Sequence, residues 1–381
     1  MFDFEPTDEQ RALIETSRRF ARERVLPIAA ECDREARFPR QVFEEAHSIG
    51  LINATLPTDY GGAGLGDVEE TLITEEIAYG CTGIQTSFTA NTLGLTPIKL
   101  AGTEEQKKKY FGWLIAEPVM VSYATSEPSM GSDVAGMQCR ATKDSGGGYV
   151  LNGTKQWITN ASFASFYVVF ATEDPALRHK GIGAFIVERS QAGVRPGRHE
   201  DKLGQRASDT APLVLEDVRV PAAQVLAPPG HGFKLAMETF NETRPDIGAG
   251  AVGLMRRCLD ECVAYARERK AFGVAIAEHQ LVAAMLAEMK IRIEATTLLV
   301  RKAAWTLDRG VRDPVISSCA KAYGADAAMQ TAVDAVQVFG GYGYVKDYPV
   351  EKLMRDAKIL QIYEGTAQVQ RLVIARHVLG H

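Results

Sequence analysis

The chain has 381 residues, of which 46% are hydrophobic and 24% charged, and its formal net charge is −5. A chain of this length exceeds the size at which one hydrophobic core keeps growing, so two or three packed subdomains are expected. Its lysines and arginines are spread along the sequence rather than clustered, which argues against nucleic acid or a membrane surface as the main partner.

The cysteines and the N-terminus bear on the compartment. The six cysteines show no disulfide-framework spacing, which favours a reducing environment. The N-terminal residues are charged early and lack the apolar centre of a signal peptide, and no later apolar run is long enough to cross a membrane. We therefore expect a cytoplasmic protein, or the mature form of an imported one.

The first section of the chain favours helices. Thr7 suits a helix start, and apolar residues then recur near helical spacing until Pro27. This helical section is predicted to span 1–118. Further helical candidates are 39–49, 67–79 and 103–115.

The middle section, 119–226, changes character. Its apolar segments are short, β-branched or aromatic, and Gly, Asn and Asp separate them, which predicts an antiparallel β domain. The predicted strands are 119–125, 149–159, 166–172, 182–189 and 213–220.

Long helices return in the last section, 227–381. Between Gln280 and Leu307 the apolar residues step by threes and fours, which predicts one long bundle helix. Pro314 to Val338 predicts another. The predicted fold class is α+β, with the order helical, β, helical.

Common nucleotide-binding and hydrolase motifs are absent. GGAGLG (61–66) and GGYGY (340–344) lack the third glycine of GxGxxG, and neither GxxxxGK[ST] nor GxSxG occurs. Rossmann, P-loop and α/β-hydrolase folds therefore lose support.

Two pairs of potential metal ligands stand one helical turn apart. They are Cys258 with Cys262 and His377 with His381, and neither pair has a matching second pair. Since a structural metal site needs about four ligands, we expect no metal.

The segment IYEGTAQVQR, 362–371, places Glu364 between Tyr363 and Gly365 at a predicted helix start. A carboxylate in apolar surroundings is costly unless it is paired or used in chemistry. The alternative is a helix N-terminal carboxylate that faces solvent and the helix dipole. The residues alone leave both open and indicate a mixed helical and β enzyme with an acidic base.

Taken together, the ordered segments resemble the acyl-CoA dehydrogenase family, most closely its straight-chain medium- and short-chain members. The resemblance covers essentially the whole chain. It rests on YATSEPSMGSDVAG, GTKQWITN, KLGQRASDT, ETRP, ERKAFG, EHQ, QVFGGYGY, YPVEKLMRDAK and IYEGTAQVQR. It implies a C-terminal four-helix bundle and a homotetramer that binds one FAD per subunit, with a neighbouring chain completing each flavin site.

The resemblance also implies the reaction. In this family a glutamate removes the α-proton of an acyl-CoA thioester while the β-hydrogen leaves as hydride to the flavin, as in fatty acid β-oxidation. That glutamate matches Glu364, whose backbone N–H would help to polarise the thioester carbonyl. Some relatives carry the base before the arginine of ETRP; that position is Thr243 here, and Glu242 is expected to point off that face.

The resemblance assigns cofactor contacts in three groups of segments. The β-domain residues would lie near the flavin ring, and the others would reach the pyrophosphate and adenosine across a subunit interface or follow the base. They are Tyr123, Thr125, Ser126, Ser132, Trp157, Thr159, Arg269, Phe272, Gln280, Gln337, Gly340, Gly341, Thr366 and Gln368.

The CoA-binding residues that the resemblance implies are Ser132, Asn241, Arg244, Arg312, Gly365 and Arg376.

Three positions depart from the family pattern. Ser129 stands where glycine is usual, Met130 where a small residue is usual, and Asn241 where the closest relatives have aspartate. We expect Met130 to narrow the pocket mouth or to alter flavin exposure.

The length of the acyl chain depends on the segment TGIQTSFTANTLG. Gln85 matches the medium-chain pattern, in which this helix lines the far end of the cavity, whereas Phe88, Thr89 and Ala90 differ from it. Because Phe88 would shorten the cavity, we expect a short-to-medium straight acyl chain.

Three alternatives stay open. The substrate could instead be branched, cyclic or dicarboxylic. In the leading interpretation an electron-transferring flavoprotein takes the electrons, whereas an oxidase would pass them to oxygen, although such oxidases are usually far longer. A non-catalytic acyl-CoA-binding homologue would have a broken base or flavin site, yet Glu364, Arg269 and QVFGG are present.

Overall fold

The computed structural model describes residues 5–380. Its first part is helical, and α1 begins with Thr7, whose hydroxyl accepts a hydrogen bond from Gln10 N. The helices are α1 Asp8–Phe20, α2 Ala29–Glu35, α3 Arg40–Ser48, α4 Asp67–Gly80, α5 Thr82–Ala101 and α6 Glu104–Ala116. The candidates at 39–49, 67–79 and 103–115 correspond to α3, α4 and α6.

The middle part is one eight-stranded sheet. Its strands are β1 Val121–Ala124, β2 Arg140–Lys143, β3 Tyr149–Thr159, β4 Phe166–Thr172, β5 Ile182–Glu188, β6 Val194–Pro196, β7 Thr210–Val220 and β8 Val225–Ala227. The order is β6-β7-β3-β2-β4-β5-β8, and β1 pairs with β4.

The long ladders of this sheet are antiparallel, as expected, but β1 runs parallel to β4 from the pair Val121–Phe166 onward. Two strands joined by a hairpin run antiparallel. Because β2 and β3 lie between β1 and β4 in the sequence, no hairpin joins β1 to β4, and the two strands can pair in parallel. Every residue of β4 is buried, and α5 and α6 cover one face of the sheet through Leu95, Phe111 and Leu114.

The last part contains the long helix α7 Gly232–Glu268, the short hairpin β9 Lys270–Ala271 and β10 Val274–Ala275, and then α8 Gln280–Asp308, α9 Pro314–Phe339, α10 Val350–Leu360 and α11 Ala367–Leu379. The bounds of α8 and α9 agree with the predicted helices to within one residue. Cys258 and Cys262 are buried in the core that α7, α8, α9 and α10 share, so they pack as small apolar residues.

Two absences apply to residues 5–380. Within this range no helix combines the length and the apolar character needed to cross a membrane. The same range contains no group of three His, Cys, Asp or Glu side chains arranged to hold a metal ion, and His381 lies outside it.

Candidate active site

Glu364 lies in the turn between α10 and α11, and not in the first turn of a helix. Its φ is 52° and that of Gly365 is 84°, so two successive residues occupy the left-handed region and turn the chain sharply. Thr366 then caps α11, because its Oγ1 accepts from Val369 N at 3.1 Å. The cap is thus supplied by Thr366, which leaves the Glu364 carboxylate free to point elsewhere.

The carboxylate of Glu364 points at α7. Thr243 Oγ1 donates to Glu364 Oε2 at 2.9 Å. This geometry argues against the solvated dipole interpretation of Glu364. Glu242, the neighbour of Thr243, turns to another face and accepts a hydrogen bond from Arg312 Nε at 3.1 Å.

Two cations lie near the Glu364 carboxylate. Burial raises its pKa above the usual value, while the hydrogen bond from Thr243 and the charges of Arg244 and Lys321 act in the opposite direction. Lys321 Nζ donates to Gly365 O at 2.6 Å, which ties the turn to α9. Burial lowers the pKa of Lys321 to about 8. The site therefore holds a carboxylate that is easier to protonate than a solvated one.

The backbone N–H of Glu364 donates to no acceptor within residues 5–380. It projects from the same turn that presents the carboxylate. A buried or half-buried N–H group normally finds a partner, so this donor is available to the carbonyl oxygen of a ligand.

The predicted flavin residues of the β domain come together. Ser126 O accepts from Gln156 N at 2.9 Å, and Ser122 Oγ donates to Thr159 O at 2.7 Å, so the end of β1 lies against β3. Thr125 Oγ1 is buried without a partner, and Trp157 is 60% exposed with φ 62°. An unsatisfied hydroxyl beside an exposed flat indole suits the edge and face of a flavin ring.

Tyr123 belongs to the substrate side of this region. Its ring packs against Phe170 and Phe240, at centroid distances of 5.0 and 5.3 Å. Its hydroxyl is buried without a partner, and burial, followed by the charge of Glu364, raises the pKa of Tyr123. Tyr123 therefore connects the β domain with the space around Glu364.

A second group of predicted cofactor residues lies at the end of α7 and α9. The Arg269 guanidinium stands 5.4 Å from the ring centroid of Tyr342, next to Gly341. Phe272 is 96% exposed with φ 52°. The remaining members are placed as follows: Gln280 begins α8, Gln337 and Gly340 end α9, and Thr366 and Gln368 begin α11.

No hydrogen bond, ion pair or ring contact within the described chain joins Arg269 or Phe272 to Trp157, Thr125 or Glu364. Within the described chain the two groups are therefore not in direct contact.

The predicted CoA residues are dispersed. Asn241 Oδ1 accepts from Arg244 Nη1 at 2.8 Å, so these two form a pair on α7, while Arg312 is paired with Glu242. Gly365 lies beside the base, and Ser132 and Arg376 are exposed. Met130 is 5% exposed and belongs to the apolar cluster that also contains Tyr123 and Met137.

Sequence reasoning missed the roles of Thr243 and Lys321. Thr243 was considered only as the residue that fills the alternative base position, and nothing marked Lys321 within a helix rich in alanine. The period of α9 would have placed Lys321 on its buried face, where a lone lysine is unusual.

Three family models match the chain: the acyl-CoA dehydrogenase N-terminal domain at 7–117, the middle domain at 122–218 and the C-terminal domain at 230–379. A probable medium-chain specific acyl-CoA dehydrogenase, mitochondrial, of Caenorhabditis briggsae is 45% identical over 381 residues, which cover 99% of this chain and 92% of that protein.

Two solved structures are similar over the whole chain. Butyryl-CoA dehydrogenase from Megasphaera elsdenii has a TM-score of 0.97 at 37% identity, covering 99% of this chain and 100% of that one. A chain from the structural study of the electron transferring flavoprotein of Acidaminococcus fermentans has a TM-score of 0.97 at 38% identity, covering 100% of both chains.

Proposed function

This chain belongs to the acyl-CoA dehydrogenase family and is an FAD-dependent acyl-CoA dehydrogenase, and we propose that it converts short- to medium-chain acyl-CoA to trans-2-enoyl-CoA with Glu364 as the base. The observation that carries the proposal is the Glu364 carboxylate, held by Thr243 at 2.9 Å and flanked by an unused backbone N–H. These are the two groups that deprotonation next to a thioester requires.

The α-proton of a thioester is a weak acid, so the carbonyl must be polarised as charge develops on its oxygen. The N–H of Glu364 supplies a donor from the same residue that carries the base. The positive charges of Arg244 and Lys321 stabilise the negative charge that accumulates near the turn. The chemistry that a bound FAD would supply is an acceptor for the β-hydrogen, which leaves as hydride.

The proton moves to the Glu364 carboxylate. Burial has already raised its pKa, and an acyl chain that excludes water would raise it further towards the working pH, which is the condition for efficient proton transfer. Thr243 holds the carboxylate in place through Oε2 and leaves Oε1 to receive the proton.

The residues that would hold FAD divide into two groups. Thr125, Ser126 and Trp157 would contact the ring, and Arg269 with the glycines after α9 would contact the pyrophosphate of a cofactor in a neighbouring subunit. A homotetramer is supported by the exposed apolar side chains Phe272, Leu281, Ile291 and Leu298, which are 96%, 82%, 58% and 52% exposed in one chain.

A short-to-medium acyl chain is supported by Phe88. Its ring packs against Phe43 at 5.6 Å and is 6% exposed, one helical turn after Gln85 on α5. We also propose an electron-transferring flavoprotein as the acceptor, in keeping with the relative from the Acidaminococcus fermentans study.

The test is anaerobic flavin reduction by a panel of acyl-CoAs of graded length, with branched, cyclic and dicarboxylic members. Bleaching by butyryl- to octanoyl-CoA and not by longer chains is the expected result. Bleaching only by branched, cyclic or dicarboxylic members would contradict the straight-chain assignment. Rapid oxygen consumption on adding acyl-CoA without another acceptor would instead support the oxidase alternative.

A further inference from the structure

The space beyond Glu364 along α7 contains an aspartate with no partner. Asp246 lies three residues after Thr243, so the two share a face of the helix about 4.5 Å apart along its axis. Asp246 is 6% exposed, and within residues 5–380 no hydrogen bond or ion pair reaches its carboxylate. A buried carboxylate without a partner is costly, so it calls for an explanation.

Other carboxylates face the same space from α4. Glu70 is 7% exposed and its Oε1 accepts from Thr92 Oγ1 at 2.8 Å. Burial, followed by the charges of Glu70, Asp67 and Glu364, raises the pKa of Asp246 well above its usual value. Asp67 and Glu70 lie in the first turns of α4, where the helix dipole stabilises a negative charge. Asp246 lies in the middle of α7, where the helix dipole gives no such stabilisation.

A second, independent acceptor without a donor lies on α5. Gln85 is 1% exposed, and its Nε2 donates to Thr89 Oγ1 at 3.0 Å. The Thr89 hydroxyl in turn donates to Gln85 O at 3.2 Å. Gln85 Oε1 is left buried without a partner.

Gln85 Oε1 points towards the same face of α7. It would lie 2.9 Å from a Cβ added at Gly250, which is one turn after Asp246. The absence of a side chain at Gly250 leaves room for this oxygen between α5 and α7. Asp246 and Gln85 therefore offer unsatisfied acceptors from facing positions on α7 and α5.

Few donors face this space. The positive charge of Lys99 on α5 acts to lower the pKa values of Asp67, Glu70 and Asp246, which burial raises. Lys99 nevertheless makes no ion pair within residues 5–380. Arg244 Nη1 donates to Asn241 Oδ1, and Arg244 Nε is buried without an acceptor. A plain alkyl chain would leave the acceptors unsatisfied, and a dicarboxylic chain would add like charge.

Resting on the proposed dehydrogenation, we propose that the preferred acyl group carries a cationic nitrogen about four to six carbons from the thioester carbonyl, whose N–H donates to Asp246; where the nitrogen carries a second N–H, Gln85 Oε1 accepts from it. The nitrogen pairs with the buried aspartate and supplies the missing donor. Asp246 is thus a specificity-determining residue, and the proton transfer at Glu364 is unchanged.

The experiment compares two thioesters of the same shape by anaerobic flavin reduction at neutral pH. They are 5-(dimethylamino)pentanoyl-CoA, whose nitrogen is protonated and does not cyclise to a stable lactam, and its neutral isostere 6-methylheptanoyl-CoA. The expected reduction efficiency is about tenfold or more higher for the cationic thioester, as one hydrogen-bonded charge pair would give. An equal or higher efficiency for the neutral thioester would overturn the proposal.

Asp246→Asn tests the residue itself and is expected to remove the preference. Asp260→Asn is the control, since Asp260 lies on the same helix and accepts from Tyr79 Oη at 2.9 Å, away from the pocket. A preference that survives in Asp246→Asn would overturn the role of Asp246. If Asp246→Asn does not fold, the comparison in the unmodified protein still decides. Bleaching by the neutral thioester alone would support the proposed function while refuting the cationic substrate. Bleaching by butyryl- or octanoyl-CoA but by neither probe would refute the cationic substrate alone, and bleaching by none of these thioesters would refute the proposed function.

Discussion

Thr243 Oγ1 donates to Glu364 Oε2 at 2.9 Å, which joins a side chain in the middle of α7 to a turn 121 residues later. The position that carries the base in some relatives thus supports the proposed base in this chain. A hydroxyl at this position lowers the pKa of the carboxylate, and burial raises it. The balance of these two effects sets the pH at which the base works.

Glu364→Gln should keep the flavin and acyl-CoA binding but lose substrate-driven bleaching. The amide preserves the shape of the side chain and its contact with Thr243. It is not a carboxylate, however, so it cannot accept the α-proton. Single-turnover flavin absorbance would show a rate lower by ~10³-fold, which is within the usual contribution of a general base. Glu216→Gln on β7, whose carboxylate pairs with the exposed Arg195, is the control. Parent-like bleaching in Glu364→Gln would refute the assignment.

Thr243→Val should shift the acidic limb of the pH profile of kcat/KM upward by about one pH unit. The hydrogen bond from Thr243 lowers the pKa of Glu364, so its removal raises that pKa, and a higher pH is needed to form the carboxylate. Thr239→Val is a matched control, because the Thr239 hydroxyl donates to Leu235 O within its own helix. An unshifted profile in Thr243→Val would show that the hydrogen bond does not tune the base.

Lys155→Met should destabilise the protein by roughly 3–5 kcal/mol, because it leaves Glu127 buried without its cation. Lys155 Nζ lies 2.8 Å from Glu127 Oε1, and the two side chains are 0% and 3% exposed. Lys155 Nζ also donates to Thr125 O at 3.1 Å, so FAD affinity should fall as well. Urea unfolding of the apoprotein and FAD titration separate the two effects. A loss of stability below about 1 kcal/mol would contradict the burial of the pair.

Phe272→Ala should weaken assembly and FAD retention without lowering the stability of the single chain. Phe272 is 96% exposed and makes only an edge contact with His279, at 5.8 Å between ring centroids, so truncation removes little packing within one chain. Light scattering would show smaller species, and ultrafiltration would release FAD. Leu177→Ala, an exposed apolar residue of the β domain, is the control. Unchanged assembly and FAD retention would place Phe272 outside any interface.

Much of the fold followed from local sequence. Helices α3, α4, α6, α8 and α9 were predicted with nearly correct bounds, because caps and apolar periods are encoded within each segment. Helix α5 was not predicted from its pattern, since it is buried on most of its surface and lacks a polar face that would reveal a helical period. The parallel pairing of β1 with β4 was likewise not predictable, because pairing depends on partners distant in sequence.

The site shows the same division. The segment IYEGTAQVQR by itself identified Glu364 and its family by resemblance, because the residue types of a reaction segment are contiguous in sequence. Only the tertiary structure placed Thr243 and the unpartnered Asp246 of α7 and Lys321 of α9 near it, although all three lie more than 40 residues earlier in the sequence. Burial sets the pKa of a carboxyl group and the partners that it can reach. Burial depends on how the helices pack together, so no single segment of the sequence determines it.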